Sequence, residues 1–162
     1  MLDIITIACL TLLNSINSAV DVTINQNVCN LKCNNENKTF DINKESLDEV
    51  NNCISNYFHI DAISYEDKSN TMNFRLSHVK NSVPCVFIIK NINKHLLPNL
   101  NIKGEDNTFN NLILLGFKDI KLTSLTTQEI YFNKITNHLI GRYNKSIKVE
   151  NDGLFIIRNS SL

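Results

Sequence analysis

The 162-residue chain has little of what several functional classes require: four glycines, two prolines, no tryptophan, and 16 basic residues balanced by 16 acidic ones. Zero net charge argues against the basic field of a nucleic-acid-binding protein and the charge-rich composition of a disordered one. Four dispersed glycines form no glycine-rich loop for binding phosphate. The length corresponds to one domain. We therefore predict no nucleic-acid partner and no cofactor.

Motifs for catalysis are also missing. The chain has neither a G-x-S-x-G nucleophile turn nor an H-E-x-x-H zinc motif, and we predict no catalytic residue and no metal site. The remaining candidates for acid–base chemistry are His59, His78 and Lys80, in the manner of a secreted ribonuclease. A structural zinc site would need two closely spaced cysteine pairs, and only Cys29 and Cys33 form one. Enzymatic activity is thus the less favoured interpretation.

Near its N-terminus the chain has an apolar run at residues 4–13. Crossing a bilayer takes about 20 apolar residues, whereas the hydrophobic core of a signal peptide needs about 7 to 15. Small and polar residues follow, and Ala19 suits a cleavage site, although Asp3 and Asn17 depart from the usual pattern. We expect residues 1–19 to be a signal peptide and 20–162 one small domain, secreted or lumenal, without a membrane span. A buried N-terminal strand and an uncleaved anchor are the alternatives.

Cleavage would remove Cys9 and leave four cysteines. An even number in an oxidising compartment predicts two disulfides, for which three connectivities are possible. Loop-closure entropy favours long links, which would tie the N-terminal segment to the body of the protein. The expected disulfide cysteines are Cys29, Cys33, Cys53 and Cys85.

Asparagine is the most conspicuous residue, occurring 27 times beside 21 isoleucines. Both have A/T-rich codons, so we attribute most of this excess to an A/T-rich genome. Three N-x-S/T acceptors predict glycosylation in the same compartment, at Asn37, Asn144 and Asn159. A chain so rich in asparagine also produces such triplets by chance.

Hydrophobic periodicity predicts an α+β fold: an antiparallel sheet of five to seven strands, two helices, and a disulfide-stapled N-terminal arm. Leu47, Val50, Ile54 and Tyr57 recur at helical spacing, and Thr126 with Glu129 would begin a second helix ending near Gly141. The expected arm is 20–41, the helices 44–58 and 126–141, the long loop 93–111, and the strands 60–65, 72–77, 83–92, 111–115, 117–122, 147–150 and 154–158.

Within the long loop, several neighbouring residues are unusually apolar for a segment facing solvent. If exposed, they would form a patch for a partner; if not, they would fold back over the end of the sheet. The patch comprises His95, Leu96, Leu97 and Leu100. We therefore favour a secreted or lumenal, non-enzymatic binding protein with a protein or glycan partner. A small hydrolase without a recognisable motif and a structural coat or wall component are the alternatives.

Overall fold

The computed structural model describes residues 18–44, 46–105, 111–124, 129–133, 138–140, 146–149 and 153–158. These residues form thirteen strands and one helix. The strands are β1 (Ala19–Asn25), β2 (Val28–Cys33), β3 (Glu36–Asp41), β4 (Phe58–Glu66), β5 (Thr71–His78), β6 (Val86–Asn91), β7 (Asn99–Gly104), β8 (Leu112–Leu115), β9 (Asp119–Ser124), β10 (Glu129–Asn133), β11 (His138–Ile140), β12 (Ser146–Val149) and β13 (Phe155–Arg158). The helix is α1 (Asp48–Ile54).

The strands form two mixed sheets. Sheet A has the order β12-β13-β8-β6-β1-β2-β3, and sheet B has the order β11-β10-β9-β7-β5-β4. In each sheet the three central strands are parallel and the flanking strands are antiparallel. Parallel neighbours require a crossover connection. From β5 to β9 that crossover is a single strand of the other sheet, because these strands alternate between sheets B and A. The parallel neighbours β1 and β6 are instead connected through β2, β3, α1, β4 and β5.

The main core lies between the two sheets. Phe87 of β6 packs against Phe58 of β4, with ring centroids 4.6 Å apart and ring planes tilted by 41°, and it forms an edge contact with Phe74 of β5 at 6.3 Å. Farther along, Phe132 of β10 and Phe155 of β13 join the sheets with a 5.8 Å separation. Burying one such side chain contributes about 1.5–3 kcal/mol, so these contacts hold the two sheets face to face.

Strand β6 is covered on both faces. Phe87 and Ile89 enter the core between the sheets, while Val86 and Ile88 point the other way and are equally buried, beside Ile113 of β8. A strand buried on both faces reads as a continuous apolar run. The apolar run 83–92 predicts such a strand at the centre of the sheet, and this prediction is confirmed, because β6 is fourth of the seven strands of sheet A.

The predicted fold class is wrong in three respects. The protein is mostly β, with two mixed sheets in place of one antiparallel sheet and one helix in the described residues instead of two. The expected N-terminal arm is the meander β1–β3. Strand β1 lies inside sheet A, paired through its backbone with β6 on one side and β2 on the other, and its apolar side chains Val20, Val22 and Ile24 are buried in the core. The expected second helix contains the antiparallel pair β10 and β11.

No disulfide staples the N-terminal segment, because Cys29, Cys33, Cys53 and Cys85 are all free thiols. Cys29 and Cys33 instead lie on the inward face of β2, where hydrogen bonding to β1 and β3 already fixes the strand.

The first predicted helix is present as α1 but is shorter than expected. The predicted hairpins 60–65/72–77 and 147–150/154–158 correspond to β4–β5 and β12–β13.

Candidate functional site

The long connection between β6 and β7 is the clearest candidate for a binding surface. We call residues 92–98 the Asn-braced loop, because the side chains of Asn91 and Asn93 hold its backbone. Asn93 Oδ1 accepts hydrogen bonds from the backbone N–H of His95 at 3.0 Å and of Leu96 at 3.2 Å. This local bonding pattern is typical of turns that begin at asparagine.

Asn91, the last residue of β6, holds the same loop through its side-chain amide. Its Nδ2 lies 2.9 Å from the backbone oxygen of Asn93, and 3.1 Å from those of Leu96 and Gly116. Gly116 has a φ of +89°, and a Cβ at this position would lie 2.7 Å from the backbone oxygen of Asn91. Only glycine therefore allows the two backbone segments to approach this closely.

The loop is also bonded to both sheets, at the end of the sandwich where it crosses from β6 to β7. Asn93 Nδ2 donates to Asn25 Oδ1 at 3.3 Å, beside the β1–β2 turn, and Asn70 Nδ2 donates to the backbone oxygen of Leu97 at 3.2 Å, beside the β4–β5 turn. The loop is thus fixed in one conformation before any partner binds, which lowers the entropic cost of binding.

Three large aliphatic side chains of the loop are exposed to solvent: Ile92 (54%), Leu96 (38%) and Leu97 (40%). His95 is exposed beside them, whereas Leu100 lies in β7 and is completely buried. The structure therefore brings His95, Leu96 and Leu97 of the expected patch to the surface and places Leu100 in the core. Together, Ile92, Leu96 and Leu97 form what we call the aliphatic patch.

Ile92 and the bracing asparagines are site residues that the sequence did not predict. The asparagine excess fits codon bias equally well, and a polar residue in a loop gives no sign of what it bonds to. One usable signal was present: Asn93 stands two residues before His95, the spacing at which an asparagine side chain caps its own turn.

The four thiols lie elsewhere and are poorly ionised. Burial, aided by the negative charge of Asp41, raises the pKa of Cys29 to about 12, and burial raises that of Cys85 to about 12. Burial and a hydrogen bond to Glu36 raise the pKa of Cys53 to about 11. The thiolate is the reactive form of cysteine, so these three thiols are chemically quiet at neutral pH.

Cys33 and Cys53 are close but bonded to other groups. Cys33 Sγ donates to the backbone oxygen of Cys53 at 3.2 Å, and Cys53 Sγ donates to Glu36 Oε2 at 2.7 Å. Burial, followed by the charge of Glu36, raises the pKa of Cys33 as well. Within the described ranges, no group of three or more His, Cys, Asp and Glu side chains is arranged to hold a metal ion.

The two histidines proposed for acid–base chemistry lie on opposite faces of sheet B. His78 pairs with the buried Phe58, whereas His59 pairs with Ser77, and cross-strand partners share a face. On the outer face, Asp61 Oδ1 lies 2.7 Å from His59 Nδ1 and accepts a hydrogen bond from Ser77 Oγ at 3.0 Å. The serine is therefore bonded to the carboxylate rather than to the imidazole, which is not the arrangement that activates a nucleophile.

Of the three predicted glycosylation sites, only Asn37 lies in the described residues. It is exposed on β3, the edge strand of sheet A, and its Oδ1 accepts a hydrogen bond from Asn30 Nδ2 at 2.6 Å. Asn144 and Asn159 lie outside the described residues, as does the expected leader up to residue 17. Ser18 and Ala19 are described, and Ala19 begins β1.

Comparison with known proteins gives no relative: no protein-family model matches the chain, and no curated protein or solved structure is significantly similar to it. In the described part of the chain, no helix has both the length and the apolar character needed to cross a membrane.

Proposed function

We propose that this protein is a secreted or lumenal, non-enzymatic binding protein that docks a partner protein through the aliphatic patch. The observation that carries the proposal is that the side chains of the aliphatic patch are exposed while the backbone of their loop is held by hydrogen bonds. Ile92, Leu96 and Leu97 are held in solvent by a loop whose backbone is bonded on several sides.

Exposed aliphatic groups on a rigid loop are suited to protein recognition. Interfaces concentrate their affinity in a few well-packed apolar side chains surrounded by polar groups. Here the surrounding side chains are basic, because Lys94 lies within the loop and Lys118 is exposed beside it, its backbone N–H donating to the oxygen of Pro98 at 2.8 Å. The partner surface that fits is an apolar pocket with acidic residues at its rim.

The secretory location rests on the apolar run at residues 4–13 and on the N-x-S/T triplets. Free thiols are compatible with an oxidising compartment when the thiolate is disfavoured, and burial has this effect on Cys29 and Cys85. The location is tested by the intact mass of the protein purified from its natural host, before and after deglycosylation. A mass that retains the first 19 residues and carries no glycan would contradict the secretory assignment.

The binding role is tested by site-specific cross-linking. A photo-crosslinking amino acid replaces Leu96 in the full chain, and the same probe replaces Val83 as a control. Val83 is more exposed than Leu96 (52% against 38%) but lies outside the loop. The proposal expects a protein in the natural extracellular or lumenal fluid to be captured from position 96 and not from position 83.

Capture is then followed by measurement of affinity with the purified partner. Leu97→Asp should weaken binding by about tenfold or more, because the apolar contact of a leucine is worth about 1.5–3 kcal/mol. Val83→Asp should leave the affinity unchanged. Equal effects of the two substitutions, or unchanged affinity in both, would refute docking through the loop.

A further inference from the structure

The outer face of sheet B carries an open groove about 360 Å³ in volume. It lies over the strands β4, β5 and β7, where the register places Ala62, Arg75 and Lys103 in one row and Ser64, Asn73 and Asn101 in the next. Since the intervening side chains of β5 and β7 are buried in the core, these six side chains point outwards.

Two positive charges stand side by side in this groove. Arg75 and Lys103 are register partners on parallel strands, and strands are separated by about 4.8 Å. Among the residues that the structure describes, neither side chain forms an ion pair. Like charges at facing positions destabilise a sheet, and a bound anion would relieve this repulsion.

The second row supplies neutral hydrogen-bonding groups. Asn101 Nδ2 donates to Asn73 Oδ1 at 3.1 Å, which orients both amides. The other amide atoms, Asn101 Oδ1 and Asn73 Nδ2, provide an acceptor and a donor. Ser64 adds an exposed hydroxyl, and the small side chain of Ala62 leaves room above the strand.

We propose that this groove binds an acidic oligosaccharide. A carboxylate or sulfate group of the sugar would lie against Arg75 and Lys103, where charge-assisted hydrogen bonds are strongest. Its hydroxyl groups would exchange hydrogen bonds with Asn73 and Asn101, which offer donors and acceptors together. The volume is within the range of small-molecule sites, about 300–1,000 Å³. The groove is separate from the aliphatic patch and does not depend on it.

The test is titration calorimetry with the full chain and four defined probes at about 50 mM salt. They are a heparin-derived hexasaccharide, an oligogalacturonate, a neutral maltohexaose, and a single-stranded thymidine decanucleotide. We expect binding of at least one acidic oligosaccharide and none of maltohexaose. Preference for the decanucleotide over both acidic sugars, or binding of maltohexaose equal to theirs, would overturn the proposal.

Variants then locate the site. Arg75→Ala and Lys103→Ala should each weaken binding of the acidic sugar about tenfold or more, as expected for loss of a charge-assisted hydrogen bond. Lys32→Ala removes the same charge from an exposed position on β2 in sheet A and should have little effect. Thermal unfolding of each variant checks folding, and Arg75→Ala should not lower stability because it removes repulsion. Equal losses in Lys32→Ala would refute the groove as the site.

Discussion

The side chain of Asn51 forms the two backbone hydrogen bonds at Ile60 that a neighbouring strand would otherwise form with the edge strand β4. It lies in α1, is 9% exposed, and contacts a single backbone unit of β4: its Oδ1 accepts from the N–H of Ile60 at 2.8 Å, and its Nδ2 donates to the oxygen of Ile60 at 2.9 Å. Strand β4 is the last strand of sheet B, and its register shifts between Ile60 and Ala62. Asn51 therefore joins the helix to the sheet at an irregular point of an edge strand.

Replacing Asn51 by alanine removes both hydrogen bonds from a buried site. Each bond contributes about 0.5–1.5 kcal/mol net, and a buried backbone group left without its partner costs about 1–3 kcal/mol. We expect Asn51→Ala to lower the free energy of unfolding by about 2–4 kcal/mol. For a chain of this length that corresponds to a fall in Tm of about 5–15 °C.

The next residue provides a matched control. Asn52 occupies the same helix but is exposed, and alanine is the better helix former, so Asn52→Ala should leave stability unchanged or slightly raised. Asn51→Asp provides a second control. Its carboxylate can accept from the N–H of Ile60 but faces the oxygen of Ile60, so the variant should be unstable at neutral pH. It should recover at acidic pH, where the protonated group can donate.

Urea unfolding followed by circular dichroism measures these differences. We expect the midpoint of Asn51→Ala to lie well below that of Asn52→Ala. Coincident midpoints for these two variants would mean that the paired hydrogen bonds contribute nothing, and the account of how α1 is anchored would be wrong.

Two further predictions concern the backbone and the thiols. Gly116→Ala and Gly116→Asn should both lower stability by about 1–3 kcal/mol, because any Cβ meets the backbone oxygen of Asn91; normal stability of the asparagine variant in thermal unfolding would show that φ alone matters. The folded-state pKa of Cys29, about 12, exceeds the unfolded value near 9.0. The stability due to this thiol is therefore complete below pH 9 and is lost as pH rises towards 12, by about 1.4 kcal/mol per unit. Cys29→Val should flatten this decline in urea unfolding at pH 8 and pH 10.5, and parallel declines would contradict the shift.

The elements predicted correctly are those whose pattern is local. The hairpin β4–β5 follows from alternation such as Met72, Phe74 and Leu76, and the run containing Phe87 marks a strand buried on both faces. Neither depends on knowing which distant segment lies alongside. Such signals establish that a strand exists, but they do not state its neighbours.

The errors arise where pairing is distant or a pattern fits two periods. Tyr131 and Ile135 have helical spacing, yet Ile130 and Phe132 are both buried in β10, and pairing with β9 decides in favour of the strand. The parallel pairing of β1 with β6 joins segments more than 60 residues apart, and no local pattern specifies it. The same applies to the groove, because β7 was assigned to a loop, although its alternating residues have the period of a strand.

The scarcity of glycine and the abundance of asparagine turn out to be related. Tight turns need residues that tolerate positive φ, which glycine normally supplies, and this chain has only four glycines. Among the described residues, four positions other than glycine have positive φ, and three of them are asparagines: Asn34, Asn70 and Asn81. Asparagine adopts this conformation more readily than other side chains. Unlike glycine, it also carries a donor and an acceptor, and Asn70 uses its amide to hold Leu97 of the Asn-braced loop. Codon bias can account for the supply of asparagine, but the fold uses these residues both to turn the chain and to fix the loop that we propose binds a partner.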